Sequence, residues 1–417
     1  MDIQVFGRRM GFDSSFLEQL MPYQELLWNN SSESFPPFME KDFYTRYYPW
    51  CKGPDPAAIY PLMEEVCHIV RSNPAAARYA SMLHFAMYKP HPGLSVRWVS
   101  PEAVFGKNTG IFQLMVALSS LPEIAARHAE LNLPEKYLRG QAEWIGGTIG
   151  IYAAAHNGYP GHTLRQSAWL RYSVLGELFH VGRLEFLSGK WLPQMPAVYR
   201  SRKDHSLAVL CLDGWAFDSE GFRVDPNVRR PAFISRLNVC GGHVTGVPVS
   251  PLGKPVFGRE MTLSLSEWEP LCSPWENCPS VHIPAGGGLT VGAVKQSLID
   301  AVKFYHDFLN TDVKVFSCVS WILNPAWERE LPNSNLADFQ KNVYLTPCVP
   351  PEGNPGIFFV YGIDNCDPRE KPQTTSLHKA FCRIFDRGEA LRSGGMFLPA
   401  SDVELYGTEY YRKKYCF

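Results

Sequence analysis

A run of three glycines is the pattern in this sequence that most directly suggests ligand chemistry. It lies in "VHIPAGGGLTVGAVKQSL", residues 281–298, between a short apolar run and a helix-like pattern. Phosphate-binding loops direct backbone N–H groups toward one point, usually at a helix N-terminus, and this loop has that position. The candidate phosphate-binding residues are Gly286, Gly287, Gly288, Leu289 and Thr290.

The loop does not match the specific nucleotide motifs. Gly287 and Gly292 have the spacing of a P-loop, but Ala293 stands where that motif needs lysine. A dinucleotide-binding loop would need a third glycine at the position of Val291. A plain turn that leads into a helix therefore stays open as the alternative.

Three side chains near the loop could carry acid–base or nucleophilic chemistry. His282 precedes the loop on a predicted strand, and a neutral imidazole can accept a proton near pH 7. Cys318 and Ser320 lie on one face of the next predicted strand, where either could act as a nucleophile or an acid. The alternatives are a core histidine with a satisfied ring and a buried thiol that only packs.

Two further polar residues lie at a predicted helix start. Ser334 and Asn335 in "NSNLADFQ" either cap that helix or face the ligand held by the glycine loop. Arg183 and Glu185 share a predicted strand face, where they either pair with each other or contact a substrate.

No metal site is predicted. His156 and His162 flank "NGYPG" at a spacing that matches no common metal motif. The 11 cysteines include no CxxC pair, which favours reduced thiols in a cytoplasmic protein.

The elements that must position these residues fall into two parts. The first 155 residues or so have helical patterns, with Pro near several helix starts, as in "DPAAIY" and "NPAAARYASML". After about residue 200, short β-rich runs such as "SLAVLCL", "PSVHIP", "KVFSCVSWIL" and "GIFFVYG" follow. A helix over Val291–Leu309 separates two of these runs, which predicts adjacent parallel strands. We therefore predict an α+β fold, with a helical N-terminal domain (residues 1–143) and a mixed-sheet domain (residues 144–417).

Composition limits the partners. The net charge of −1 and the pI near 6.9 provide no broad basic surface, so we expect no nucleic-acid partner. The N-terminus has no signal-peptide pattern and no run of 18 apolar residues occurs, so we expect no membrane span. The oligomeric state is left open.

Several stretches, in order, resemble a bacterial two-domain acyltransferase family that combines an N-terminal helical acyltransferase domain with a GNAT-like C-terminal domain. They cover roughly residues 144–400 and include "LGELFHVGRLEF", "TGVPVSPLGKP", "LSEWEPL", "VHIPAGGGLT", "SCVSWILNP" and "PNSNLADF". The resemblance implies transfer of an acyl group from acetyl-CoA or another acyl-CoA to a small-molecule or peptide amine. It also implies that the glycine loop binds the CoA pyrophosphate.

The sequence departs from the GNAT pattern at two positions. The Arg or Gln usual three residues before the first loop glycine is Ile283 here. The usual tyrosine acid is not in register, because Asn342 stands at its position and Tyr344 lies two residues further on. Two alternatives follow: a non-catalytic GNAT-like module that binds acyl-CoA or a partner, and a hydrolase that uses Ser320 or Cys318 with His282.

Overall fold

The computed structural model describes residues 1–192, 195–350 and 352–415. It divides into two compact units. The first comprises Met1–His180 and Pro284–Gly286, and the second comprises Val181–Ile283 and Gly287–Phe417. A helix over Glu135–Ala155 spans residues 143 and 144, where we placed the domain boundary; that boundary stays a prediction.

The first unit is helical, as the sequence indicated. Its helices are α1 (Ile3–Met10), α2 (Ser14–Leu20), α3 (Gln24–Asn29), α4 (Lys41–Tyr47), α5 (Pro56–Ser72), α6 (Pro74–Tyr88), α7 (Glu102–Phe105), α8 (Thr109–Leu118), α9 (Leu121–Glu130), α10 (Glu135–Ala155) and α11 (Leu164–Val174).

Local sequence explains where α5 and α6 begin. Each helix has proline at its first position, where the missing N–H needs no partner. The side chain of Asp55 accepts a hydrogen bond from the N–H of Ala57 at 2.9 Å, and that of Asn73 accepts one from Ala75 at 3.1 Å. The side chains of Ile59, Met63 and Val66 on α5 are buried in the core of this unit.

One stretch of this unit, Glu102–Glu130, is long and apolar enough to cross a membrane by length and composition alone. In the structure, 78% of its most apolar window is buried inside the protein. Core helices commonly combine this composition with such burial, so the stretch is weak evidence for a membrane span.

Buried histidines make the stability of the protein depend on pH. Burial lowers the pKa of His128 from its ordinary 6.5 to about 4, and His84 and His162 are shifted in the same way. The unfolded chain therefore binds protons more readily than the folded chain between these values. We expect the free energy of unfolding to fall as the pH drops from about 6.5 toward 4, by up to about 1.4 kcal/mol per pH unit for each such histidine.

Urea unfolding at pH 7, 6 and 5 measures this effect, and the matched variant is His128→Phe. The free energy of unfolding of the variant should change less with pH than that of the unaltered protein, because residue 128 then has no imidazole to protonate. An identical pH dependence in the variant and the unaltered protein would show that His128 does not contribute to the loss of stability at low pH.

The second unit is built on β-sheets. Its strands, with β1 at the boundary between the units, are β1 (Leu178–Val181), β2 (Leu184–Leu187), β3 (Ala197–Ser201), β4 (Leu207–Leu210), β5 (Ala216–Phe217), β6 (Phe233–Ile234), β7 (Leu237–Cys240), β8 (His243–Gly246), β9 (Met261–Ser264), β10 (Trp268–Pro270), β11 (Ser280–His282), β12 (Val315–Ser320), β13 (Tyr344–Thr346) and β14 (Gly394–Pro399).

The main sheet has six strands in the order β1-β2-β11-β12-β14-β13. Strands β11 and β12 are parallel neighbours, with Ser280 opposite Ser317, which confirms the predicted arrangement. Three smaller sheets have the orders β10-β3-β4, β5-β6 and β7-β8-β9. The glycine loop follows the carboxyl end of β11, which is an interior strand between β2 and β12 in the main sheet.

The helices of the second unit are α12 (Val291–Leu309), α13 (Ala326–Glu330), α14 (Asn335–Lys341), α15 (Ile357–Tyr361), α16 (Ser376–Asp386) and α17 (Tyr410–Lys414). The predicted bounds of α12 are confirmed, and Ser334 is the N-cap of α14 as one of the two predicted alternatives.

Three predictions of local structure were wrong. The run "GIFFVYG" is the helix α15, because left-handed Gly356 and Gly362 bound one short helical turn whose apolar face packs in a core. The strand β14 in "GGMFLP" was missed. The predicted β-rich run "KVFSCVSWIL" is a strand only as far as Ser320, and Trp321–Leu323 form a 3₁₀ turn.

Candidate functional site

A tight turn between β1 and β2 packs against the first turns of α12. Gly182 has a φ of +66°, and a Cβ at this position would lie 2.4 Å from Oγ of Ser297, so only glycine fits. The N–H of Arg183 donates to Ser297 Oγ at 2.6 Å, and that hydroxyl donates to the carbonyl of Ala293 at 2.8 Å. These bonds fix Arg183 beside the start of α12.

The side chain of Arg183 lies against the glycine loop. Its Nη2 donates a long hydrogen bond of 3.5 Å to the carbonyl oxygen of Gly287. Burial lowers the pKa of Arg183, and the nearby Glu185 opposes that shift. A guanidinium keeps its charge in proteins, so the structure places a fixed positive charge at the loop.

His282 lies directly opposite Glu185. Strands β2 and β11 are antiparallel, and their register pairs His282 with Glu185 and Val281 with Phe186. Directly opposed residues of antiparallel strands present their side chains on one face, with Cβ atoms about 4.5–5.5 Å apart. Glu185 is 1% exposed, and burial lowers the pKa of His282 to about 4, so this imidazole is neutral at pH 7.

The start of α12 supplies the other features of an anion site. Thr290 is the N-cap, and its Oγ1 accepts a hydrogen bond from the N–H of Ala293 at 3.4 Å. The preceding loop is exposed at Gly286, Gly287 and Gly288, whereas Leu289 is buried and anchors it. The first N–H groups of a helix have no partner within it and carry partial positive charge, which favours an anion beside Arg183.

The structure brings the side chain of Asn335 close to the loop, whereas the hydroxyl of Ser334 is used in local hydrogen bonds. A Cβ built on Gly288 would lie 3.8 Å from Nδ2 of Asn335. The hydroxyl of Ser334 accepts from the N–H of Ala337 at 3.2 Å and donates to the carbonyl of Leu331 at 2.7 Å. Ser334 therefore caps α14, and Asn335 presents an amide to the loop.

Cys318 and Ser320 are less suited to nucleophilic chemistry. Burial raises the pKa of the Cys318 thiol to about 12, which disfavours the thiolate that a nucleophile needs. The Ser320 hydroxyl accepts a hydrogen bond from the N–H of Ile322 at 3.4 Å and caps the turn that follows β12.

Within residues 1–192, 195–350 and 352–415, no group of three or more His, Cys, Asp or Glu side chains could hold a metal ion. The cysteines of these residues are all free thiols.

Comparison with known families adds to this geometry. Residues 178–398, just over half of the chain, match the model of the GNAT-like C-terminal domain. The chain belongs to the GNAT-like C-terminal domain family. The predicted family and fold class are therefore confirmed, with a helical N-terminal region followed by mixed sheets in the GNAT-like region.

Solved structures share the fold over nearly the whole chain. An acyltransferase in complex with decanoyl-CoA and teicoplanin matches with a TM-score of 0.59 and 18% sequence identity, covering 96% of this chain and 100% of its own. An acyltransferase mutant in complex with octanoyl-CoA gives the same TM-score and identity over 96% of this chain and 99% of its own. An acyltransferase with CoA and 10C-Teicoplanin has a TM-score of 0.58 and 17% identity, covering 96% of this chain and 100% of its own. No curated protein matches by sequence.

The cation beside the glycine loop comes from the turn between β1 and β2. Ile283 occupies the position at which the family resemblance implies Arg or Gln, and Arg183 reaches the loop from the turn before β2 instead. The sequence contains one indication of this contact. In "HVGRLEF", the glycine predicts a turn, and the arginine that follows it places a positive charge at that turn. The prediction that Arg183 and Glu185 share a strand face was wrong, because Arg183 lies in the turn before β2 and only Glu185 lies on the strand. The sequence also did not connect these residues with the glycine loop or His282.

The loop conformation itself is testable. Gly287 has a φ of +61°, and a Cβ there would lie 3.3 Å from Nε of Arg183. We expect Gly287→Ala to lower the free energy of unfolding by about 1–2 kcal/mol, because an L-residue is strained in this conformation. In the matched variant Gly292→Ala, the new Cβ meets nothing within 4 Å inside α12, so the change should be neutral or stabilising by up to about 1 kcal/mol. Thermal and urea unfolding compare the two, and equal stabilities would contradict the strained-loop description.

Proposed function

We propose that this protein is an acyl-CoA-dependent acyltransferase that moves an acyl group from acyl-CoA to an amine. One arrangement of residues carries the proposal. Arg183 contacts the glycine loop, and Glu185, two residues further along the chain, lies opposite His282. This arrangement provides a phosphate-binding element and a base on adjacent strands of one sheet. The shared fold with acyltransferases that hold acyl-CoA supports the same assignment.

The phosphates of acyl-CoA fit the loop and the start of α12. Exposed Gly287 and Gly288 let a ligand approach the backbone closely, and the adjacent helix N-terminus attracts negative charge. Arg183 adds a guanidinium, which binds phosphate in a fork of parallel hydrogen bonds. Asn335 supplies a further donor beside Gly288.

His282 acts as the base in this proposal. Its neutral imidazole accepts a proton from the amine as the nitrogen attacks the thioester carbon. The Glu185 carboxylate orients the ring and stabilises the imidazolium that forms. The new C–N bond replaces the C–S bond, and the imidazolium returns its proton to the CoA thiolate. Cys318 packs in the core, and Ser320 caps a turn.

A second candidate function is a non-catalytic module that binds acyl-CoA. Ile283, in place of the usual Arg or Gln, favours this alternative. It predicts binding of acyl-CoA without release of CoA when amines are added.

Two measurements test the proposal in sequence. Decanoyl-CoA should raise the unfolding temperature of the protein, since a ligand at 100 times its dissociation constant stabilises the folded state by about 2.7 kcal/mol. Free thiol should then appear with an amine panel that includes amino acids, peptides and teicoplanin, which two of the similar structures contain.

Absence of any shift with CoA, acetyl-CoA, octanoyl-CoA and decanoyl-CoA would refute both functions. Binding without thiol release for the whole panel would favour the binding module. Thiol release without any amine, abolished in Ser320→Ala or Cys318→Ala, would instead indicate a hydrolase.

A further inference from the structure

A polar cavity lies in the second unit, and no residue of the glycine loop lines it. It has a volume of about 630 Å³ and is lined by residues of the β5–β6 region, the segment after β12 and the segment before β14. Four cationic and three acidic side chains line it. Within the part of the chain that the structure describes, it shares no lining residue with the site at Arg183 and His282.

Two cations of this cavity lie against the same aromatic ring. Lys254 Nζ is 3.7 Å and Arg392 Cζ is 4.1 Å from the centroid of Phe222. Burial lowers the pKa of Lys254, the nearby carboxylates of Glu220 and Asp218 oppose that shift, and Arg392 adds a smaller effect in the direction of burial. Two like charges held together on one ring favour a bound anion, which would relieve their repulsion.

Hydrogen-bond donors in the cavity lack acceptors. Asn324 is 3% exposed, and among the described residues its Nδ2 has no hydrogen-bond partner. Its Oδ1 is already used, since it accepts from the N–H of Ala326 at 3.1 Å. The buried Nη1 of Arg392 likewise has no partner in the described part of the chain. Buried donors are nearly always paired, so both groups point to a missing acceptor.

The acidic side chains of the cavity are not the acceptors that Asn324 and Arg392 lack. Asp218 accepts hydrogen bonds from the N–H groups of Glu220 and Phe222, both at 3.0 Å. Glu389 is bound by Arg329 at 2.7 Å and by Arg387 at 2.6 Å. The Glu220 side chain is exposed, and Lys254 Nζ donates to the Glu220 backbone carbonyl at 2.5 Å.

We propose that this cavity binds the carboxylate or phosphate group of a small anionic ligand, with Arg392, Lys254 and Asn324 as donors. An oxyanion supplies several acceptor oxygens, and a guanidinium matches its geometry with two parallel hydrogen bonds. The site is separate from the proposed acyl-CoA site and does not depend on the acyltransferase assignment.

The test uses the full chain with inorganic phosphate and succinate, each compared with sodium chloride at equal ionic strength. Isothermal calorimetry should detect saturable binding of at least one of the two anions. Comparing phosphate with succinate shows whether the site prefers a phosphate or a carboxylate group. Arg392→Met should weaken binding about tenfold or more. Asn324→Asp keeps the acceptor for Ala326 but faces the anion with a negative charge, and it should weaken binding as strongly.

Arg369→Met is the matched control, because Arg369 lies outside the cavity and pairs with Asp367 on the surface. It should bind the anion as the unaltered protein does, and all variants should keep their circular dichroism spectrum. Decanoyl-CoA binding should be unchanged in Arg392→Met. Lack of saturable binding of both anions by the unaltered protein would overturn the proposal, and so would Arg392→Met and Asn324→Asp variants that bind the anion as tightly as the unaltered protein.

Discussion

Replacing His282 with glutamine is expected to lower kcat for amine acylation by about 10²–10⁴-fold, which is the usual contribution of a positioned general base. Glutamine is polar and of similar size, but it cannot accept the proton of the amine. The dissociation constant of decanoyl-CoA should change less than about twofold, because Arg183 and the glycine loop bind its phosphates. Stopped-flow detection of free thiol, with calorimetry of decanoyl-CoA binding, separates the two effects.

His306→Gln provides the control for this prediction. His306 lies on the exposed side of α12, where its Nδ1 is 3.0 Å from Asp312, so its replacement should leave kcat unchanged. Glu185→Gln should lower kcat less than His282→Gln, since Glu185 acts on the imidazole and not on the amine. Full activity in His282→Gln would remove this histidine from the mechanism.

Arg183→Met is expected to raise the dissociation constant of decanoyl-CoA about 10–100-fold. The reason is a net loss equivalent to one charge-assisted hydrogen bond to phosphate, which is worth about 1.5–3 kcal/mol. Arg183→Lys should recover part of the affinity, because lysine keeps the charge but not the planar fork. Calorimetric titration measures the dissociation constant of decanoyl-CoA for all three proteins. The substitutions keep the backbone N–H of residue 183, which donates to Ser297 in the unaltered protein.

Decanoyl-pantetheine, which lacks the pyrophosphate, makes this test specific. It should bind the unaltered protein and Arg183→Met with equal affinity, because its thioester does not use the loop cation. A similar loss of affinity for both ligands would mean that Arg183 maintains the fold of the site and does not contact phosphate.

Patterns that are local in sequence predicted much of the second unit. The helix α12 has an apolar face at helical spacing, a Thr cap and a glycine run before it, and the structure gives it the predicted bounds. The same local signals predicted the parallel pair β11 and β12, because a crossover helix between two strands brings them together. The position of the glycine loop between β11 and the start of α12 followed from the same signals.

Long-range register was not predictable in the same way. The opposition of His282 and Glu185 joins strands about 100 residues apart, and a shift of one residue would have placed the two side chains on opposite faces. Arg183 reaches the loop only because Gly182 allows the turn to pack on α12.

Tertiary packing also overrode local propensity at two elements. The β-prone run "IFFVY" is the helix α15 because its apolar face completes a core around Ile357 and Tyr361. Strand β14 contains two glycines and a proline, residues with low β-propensity, yet it pairs on both sides within the main sheet.

A crystal structure of the protein with decanoyl-CoA tests the central claim most directly. We predict the pyrophosphate at the loop Gly287–Thr290 within hydrogen-bond distance of Arg183, and the thioester beside His282. Decanoyl-CoA bound elsewhere on the protein, or with its thioester remote from His282, would contradict the proposed site.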